Sequence, residues 1–140
     1  MGISTEEPTP ADLELLELAR GASRRAHAPY SRFAVGAAVR TLAGGVYTGC
    51  NVENASYGLA VCAERSAIFA AVAAEGPDMR VGAVAVHAEA RSVPPCGACR
   101  QVIAEFGPEA RVVFPSGGAP VAMSLGDLLP ERFELDAGPG

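Results

Sequence analysis

Val81-Gly82-Ala83-Val84-Ala85-Val86-His87-Ala88 is almost unbroken in its apolar character. A strand with one wet face alternates apolar and polar residues, so a run like this has to be covered on both faces. It predicts the central strand of a sheet with helices above and below. The punctuation around it agrees. An apolar helical run over about residues 62–75 stops at Gly76-Pro77, and a second over about 97–106 stops at Gly107-Pro108. Arg111-Val112-Val113-Phe114-Pro115 then reads as another short strand. The phrase Gly-Pro-x-x-Arg-Val occurs at Gly76 and again at Gly107, each time as a helix stop followed by a strand start. Repeated in this way it predicts an α/β chain with two parallel crossovers, right-handed by the usual rule.

Upstream, leucines at 13, 15, 16 and 18 with interspersed Glu14 and Glu17 predict a first helix over about 11–26, stopped by Pro29. Residues 33–41 and 46–53 read as two strands joined by Leu42-Ala43-Gly44-Gly45, a hairpin whose glycines supply the positive φ of the turn. At its far end Asn51 and Glu53 alternate onto one face, where they are candidates to grip a common ligand. Downstream, Val121-Ala122-Met123 predicts an edge strand and Ser124 caps a short helix to Leu129. The expected organisation is a flexible leader at 1–10, a single domain at 11–135 and a loose tail at 136–140.

The bulk properties narrow the function. With 140 residues, 49% hydrophobic and 19% charged, the chain is one domain's worth of globular sequence. Its net charge of −5 gives no electrostatic footprint for a phosphate backbone, so a nucleic-acid polymer is not the expected partner. All 11 basic residues are arginines, which excludes lysine Schiff-base chemistry. The acidic N-terminal stretch has no basic and apolar signal pattern, and no apolar run approaches a membrane span. A cytoplasmic location is expected. There Cys50, Cys62, Cys96 and Cys99 stay reduced, and their spacing points to metal or catalysis before disulfides.

Cys96 and Cys99 stand at i and i+3 where a loop enters a helix, the usual clip for one tetrahedral ion. Cys62 supplies a third thiol from another helix start. Three cysteines beside a carboxylate favour zinc, and three sulfurs leave its fourth position open, as catalytic sites do. A closed, structural site would need Cys50, His27 or His87 as fourth ligand. Three thiolates on Zn²⁺ carry a formal charge of −1, which Arg65 at i+3 from Cys62 and two helix N-termini can offset. Glu64, two residues past a ligand, is then placed to accept and return protons as a general acid/base. Peptide, ester and amidine hydrolysis all remain open on spacing alone.

Cys62-Ala63-Glu64-Arg65, Pro95-Cys96-x-x-Cys99-Arg100-Gln101 and Cys50-Asn51-Val52-Glu53-Asn54-Ala55-Ser56-Tyr57 together resemble the small zinc cytidine deaminases, in the right order and over about residues 13–133. A cysteine, Cys62, stands where related nucleobase deaminases carry a histidine, which resembles the free-nucleoside branch with its tris-cysteine zinc. The resemblance implies a three-layer α/β/α fold with a mixed, mostly five-stranded sheet and one zinc per chain. It also implies hydrolysis of cytidine and 2′-deoxycytidine in pyrimidine salvage, with Glu64 passing a proton to N3 and then to the leaving amine. By the same resemblance Asn51 and Glu53 hold the ribose 3′-hydroxyl and Phe33 packs on the pyrimidine. The resemblance further implies a homotetramer in which Ala55, Tyr57 and Phe133 reach a neighbouring subunit's site. One departure is Ala34, where many relatives have proline after the phenylalanine.

Two other readings compete. One is a deaminase of blasticidin S or of a free base on the same scaffold, against which the ribose grip of Asn51 and Glu53 counts. The other is a non-catalytic zinc module that binds proteins, which metal analysis combined with Glu64→Ala separates from an enzyme.

Overall fold

A computed structural model describes residues 4–136. In chain order they form α1 (Pro10–Ser23), β1 (Val35–Thr41), β2 (Val46–Cys50), a single 3-10 turn (Tyr57–Leu59), α2 (Ala63–Glu75), β3 (Val81–Ala88), α3 (Gly97–Phe106), β4 (Arg111–Ser116), β5 (Ala119–Ser124) and α4 (Leu125–Leu128). The five strands make one mixed sheet in the order β2-β1-β3-β4-β5, with the apolar run at its centre. Val84, Ala85 and Val86 of β3 are fully buried.

β1 is antiparallel to both β2 and β3, so β2 and β3 run the same way with β1 between them. α2 therefore carries the chain over β1 from one parallel strand to another, and α3 does the same between the adjacent parallel pair β3 and β4. Both crossovers predicted by the repeated Gly-Pro phrase are present, the first skipping a strand. β5 returns antiparallel to β4.

The pleat sorts the core into two layers. On one face Ala38, Ala83, Ala85, Val113 and Ala122 pack against Leu15 and Ala19 of α1. On the other, Ala37, Val39, Val84, Val86, Val112 and Phe114 meet Ala67, Ile68 and Ala71 of α2 and Ile103 and Ala104 of α3, with Leu125 and Leu128 of α4. Successive residues such as Ala37, Ala38 and Val39 point to opposite layers, as a strand buried on both faces requires. Two glycines on this sheet are required by close approach. A Cβ on Gly36 would lie 1.9 Å from the Ala19 carbonyl oxygen of α1, and one on Gly49 would lie 2.4 Å from the Ala67 nitrogen of α2.

Two of the boundaries that differ from expectation do so for clear tertiary reasons. α1 ends at Ser23 and not near 26, because His27 is drawn into pairing: its N–H donates to the Asn51 carbonyl at 3.0 Å and its carbonyl accepts from Glu53 N–H at 2.8 Å. β2 ends at Cys50 and not at 53, because the Asn51 side chain takes over the ladder. Its Oδ1 accepts from Val35 N–H at 2.8 Å and its Nδ2 donates to the Phe33 carbonyl at 2.8 Å. The hairpin turn is as expected, with Gly44 at φ 94°.

Of the leader and tail, residues 1–3 and 137–140 lie outside the described residues. Within the leader, Glu6 exchanges two backbone hydrogen bonds with Ala122 on β5. Its carboxylate also pairs with Arg111 at 2.6 Å. The same guanidinium holds buried Asp12 at 2.8 Å. Among the described residues no helix is long and apolar enough to cross a membrane.

Candidate active site

Two helix starts converge. Cys62 is the N-cap of α2 and Cys96 the N-cap of α3, where the Cys96 sulfur accepts the N–H of Cys99 at 3.4 Å. Cys99, in the first turn of α3, is fully buried. The three sulfurs all lie within 4.8 Å of one another, and the Cys62 and Cys96 Sγ atoms are 3.8 Å apart. A tetrahedral ion with Zn–S bonds of about 2.3 Å puts neighbouring sulfurs about 3.8 Å apart, so the donor set and its spacing fit zinc. Among the described residues this is the one cluster close enough to hold an ion. Cys50, His27 and His87 do not join it; the His87 ring instead faces Glu89 at 3.3 Å.

Charge around the sulfurs is asymmetric. A hydrogen bond from Cys99, then one from Arg65, pulls the Cys62 thiol toward the thiolate, while the same coupling to Cys62, with burial, pushes the Cys99 thiol up. Arg65 Nη2 donates to Cys62 Sγ at 3.3 Å, and the Arg65 Nε is buried without a hydrogen-bond partner. The guanidinium is thus committed to the sulfur side of the helix mouth, and its pKa is raised first by Cys62.

Glu64 is only 4% exposed. Burial above all raises its pKa, with the negative charge of Cys62 adding to it, and outweighs the opposing pulls of its own backbone N–H, Cys99 and Arg65. A carboxyl held in this way is easier to protonate than a solvated one, which suits a group that has to take up and release a proton. It opens, with Cys62 and Cys96, into a cavity of about 290 Å³ that Phe33, Asn51 and Glu53 also line.

The sequence-predicted residues therefore divide. Cys62, Glu64, Cys96, Phe33, Asn51 and Glu53 share one cavity, with Cys99 and Arg65 behind it. Ala55, Tyr57 and Phe133 do not line it within one chain. Ala55 is exposed. Tyr57 is 75% exposed and edge-on to Tyr30, with ring centroids 5.8 Å apart, over an adjoining cavity that shares Ser31 and Glu53. Phe133 is 72% exposed in a groove beside α3, where its carbonyl accepts from Gln101 Nε2 at 2.9 Å.

Sequence reasoning missed Ser31, Val93 and Pro94, which also line the cavity. Val93 and Pro94 form a wall just ahead of the Cys96 loop, and the Pro94-Pro95 pair was the available signal. Ser31 was readable as a turn residue, since its hydroxyl accepts from Phe33 N–H two residues on at 3.0 Å. Its second partner, Glu53, is 22 positions away. No local pattern announces that contact.

Residues 10–115 match the family model of the cytidine and deoxycytidylate deaminase zinc-binding region. The chain belongs to that family. It is 47% identical over 125 residues to the cytidine deaminase of Halalkalibacterium halodurans, covering 87% of this chain and 93% of the relative. The crystal structure of cytidine deaminase from Burkholderia pseudomallei superposes with a TM-score of 0.80 at 50% identity, covering 86% of this chain and 98% of that one. A blasticidin-S deaminase of Bacillus cereus is more distant, 30% identical over 129 residues, with 87% of this chain and 91% of the relative covered. The three-layer fold with its mixed five-stranded sheet and the zinc-binding character of the family agree with what the sequence implied.

Proposed function

We propose that this chain, through a single domain at 11–135, hydrolyses cytidine and 2′-deoxycytidine to the corresponding uridines and ammonia. The observation that carries the reading is Glu64, a buried carboxyl beside three clustered sulfurs, lining a cavity that Asn51 and Glu53 also line. Cys62, Cys96 and Cys99 would hold one zinc ion, which when bound supplies Lewis-acid activation of a water. Glu64 accepts one proton of that water and delivers it to N3 of the base, as the water oxygen bonds to C4. It then transfers the second proton to the C4 amino group, which departs as ammonia, leaving the carbonyl of uridine. A buried carboxyl with a raised pKa holds a proton more readily than a solvated one and can pass it on in the next step. Arg65 offsets the charge of the thiolate set through Cys62, together with the N-termini of α2 and α3.

The sugar grip follows from Asn51 and Glu53. Asn51 keeps one free N–H after its bonds to Phe33 and Val35, and Glu53 keeps acceptor capacity, so the pair can both donate to and accept from one hydroxyl. Phe33 supplies an apolar face for the pyrimidine. Four copies would assemble with Ala55, Tyr57 and Phe133 covering a neighbour's cavity, which is consistent with how exposed they are in one chain. An acidic chain of this kind belongs to nucleoside salvage in the cytoplasm, with no nucleic-acid polymer as substrate and no membrane.

The relative that acts on blasticidin S supports a second reading, a deaminase of another aminopyrimidine. Incubation with cytidine, 2′-deoxycytidine, cytosine and blasticidin S, followed by loss of ultraviolet absorbance, separates the two. Consumption of both nucleosides is the expected result. Cytidine left intact while another compound is consumed overturns the proposal.

A further inference from the structure

Glu53 is more heavily engaged than a residue waiting for a ligand. Its Oε1 accepts the N–H groups of Tyr30 at 2.9 Å and Ser31 at 3.1 Å, and its Oε2 accepts the Ser31 hydroxyl. A carboxylate has about four acceptor positions. The one left over is on Oε2, the oxygen that Ser31 holds. The same hydroxyl oxygen accepts Phe33 N–H at 3.0 Å, tying the sugar-facing carboxylate to the backbone of the base-facing phenylalanine. Between them Arg32 takes φ 57°, a conformation an arginine does not choose unaided. The loop 30–33 is thus bent to bring Ser31 onto Glu53.

We propose that Ser31 is a positioning residue for nucleoside selection: by donating to Glu53 Oε2 it directs the remaining lone pair of that oxygen at a sugar hydroxyl, and so discriminates nucleosides by that hydroxyl. This rests on the nucleoside reading above. Without the serine hydroxyl the carboxylate keeps its two backbone donors on Oε1 but is free to turn Oε2 away from the cavity.

The test compares cytidine with 2′,3′-dideoxycytidine, which lacks the hydroxyls in question. In Ser31→Ala the KM for cytidine rises about tenfold, the size of a lost hydrogen bond to a charged group. Its kcat stays within about twofold, and the Ki of dideoxycytidine as a competitor is unchanged. Ser31→Thr, which keeps the hydroxyl, restores the cytidine KM. Ser31→Cys preserves the shape with a weaker donor and moves KM in the same direction as alanine, which keeps the test decisive if the alanine variant folds poorly. An unchanged KM in the alanine or cysteine variant overturns the assignment. So does a dideoxycytidine Ki that rises in step with KM, the mark of a merely structural loop residue. A wild-type enzyme that turns over no nucleoside removes the nucleoside reading and this inference together, whereas an active wild type with an indifferent Ser31 removes only the inference.

Discussion

The sulfurs of Cys62 and Cys96 meet at 3.8 Å across 34 positions of sequence, each at the N-cap of its own helix. An ion placed there fastens α2 to α3 as well as serving chemistry. Metal analysis is expected to find one zinc per chain, lost in Cys62→Ala and Cys99→Ala. An ion at a hundredfold excess over its dissociation constant stabilises by about 2.7 kcal/mol. Chelation should therefore lower the thermal midpoint by about 10 °C, and a midpoint indifferent to chelator would argue that no structural ion is held.

Replacing Glu64 with glutamine keeps the shape of the side chain but removes its ability to carry a proton. The zinc content should survive, while kcat falls by about 10²–10⁴. Near-wild-type turnover in this variant would take Glu64 out of the proton path.

Asp12 gives a pH dependence remote from the site. Burial pushes its pKa up, but the N–H of Thr9 and the Arg111 guanidinium outweigh burial and bring it below the ordinary value of 3.8. A depressed folded-state pKa contributes stability above the unfolded value that is lost as pH falls through the folded one. Asp12→Asn should then cost about 1–3 kcal/mol at neutral pH. The gap to wild type should close at acid pH below 3.8, as followed by urea unfolding across pH. A gap constant with pH would mean the loss comes from packing.

The proposed sharing of sites between subunits predicts complementation. Glu64→Gln and Tyr57→Ala are each expected to be impaired alone, yet coexpressed they should form some sites with an intact Glu64 and a neighbour's intact Tyr57. Specific activity above the mean of the two parents, with light scattering at four chains, is the expected result. A fully active monomer would show that Tyr57 and Phe133 have no cross-subunit role.

Where the sequence could be read, it was because local chemistry and tertiary demand coincided. The run at 81–88 needs two covered faces, and β3 has them. The helix limits at Gly76 and Gly107 rest on residues that end helices in any context. The cluster of Cys62, Cys96 and Cys99 was legible because metal chemistry demands those atoms together. What stayed hidden depended on partners far along the chain. The end of α1 is set by the pairing of His27 with Asn51 and Glu53, and the Glu6 bridge is made to a strand more than a hundred positions on. Nor does any periodicity reveal that Asp12, a first-turn aspartate of ordinary appearance, is buried against Arg111.

Gly49→Ala tests the closeness of α2 to the hairpin. The added methyl would lie 2.4 Å from the Ala67 nitrogen and 2.7 Å from the Ala63 carbonyl oxygen, both backbone atoms that cannot rotate away. A loss of about 3 kcal/mol is expected from such overpacking. Gly21→Ala, on α1 with nothing within 4 Å, should instead gain about 0.5–1 kcal/mol. Equal midpoints for the two variants would contradict the contact.

Gly36 and Gly49 also limit how this scaffold can change its habits. They sit in adjacent rungs, Gly36 opposite Cys50 and Ala37 opposite Gly49, with one helix backbone against each side. At these two positions there is consequently no room for a side chain to be introduced. A laboratory library aimed at new nucleoside analogues would waste its diversity on those two glycines, and its productive positions are the loop at 30–33 and the segment at 53–60, whose residues line the two adjoining cavities.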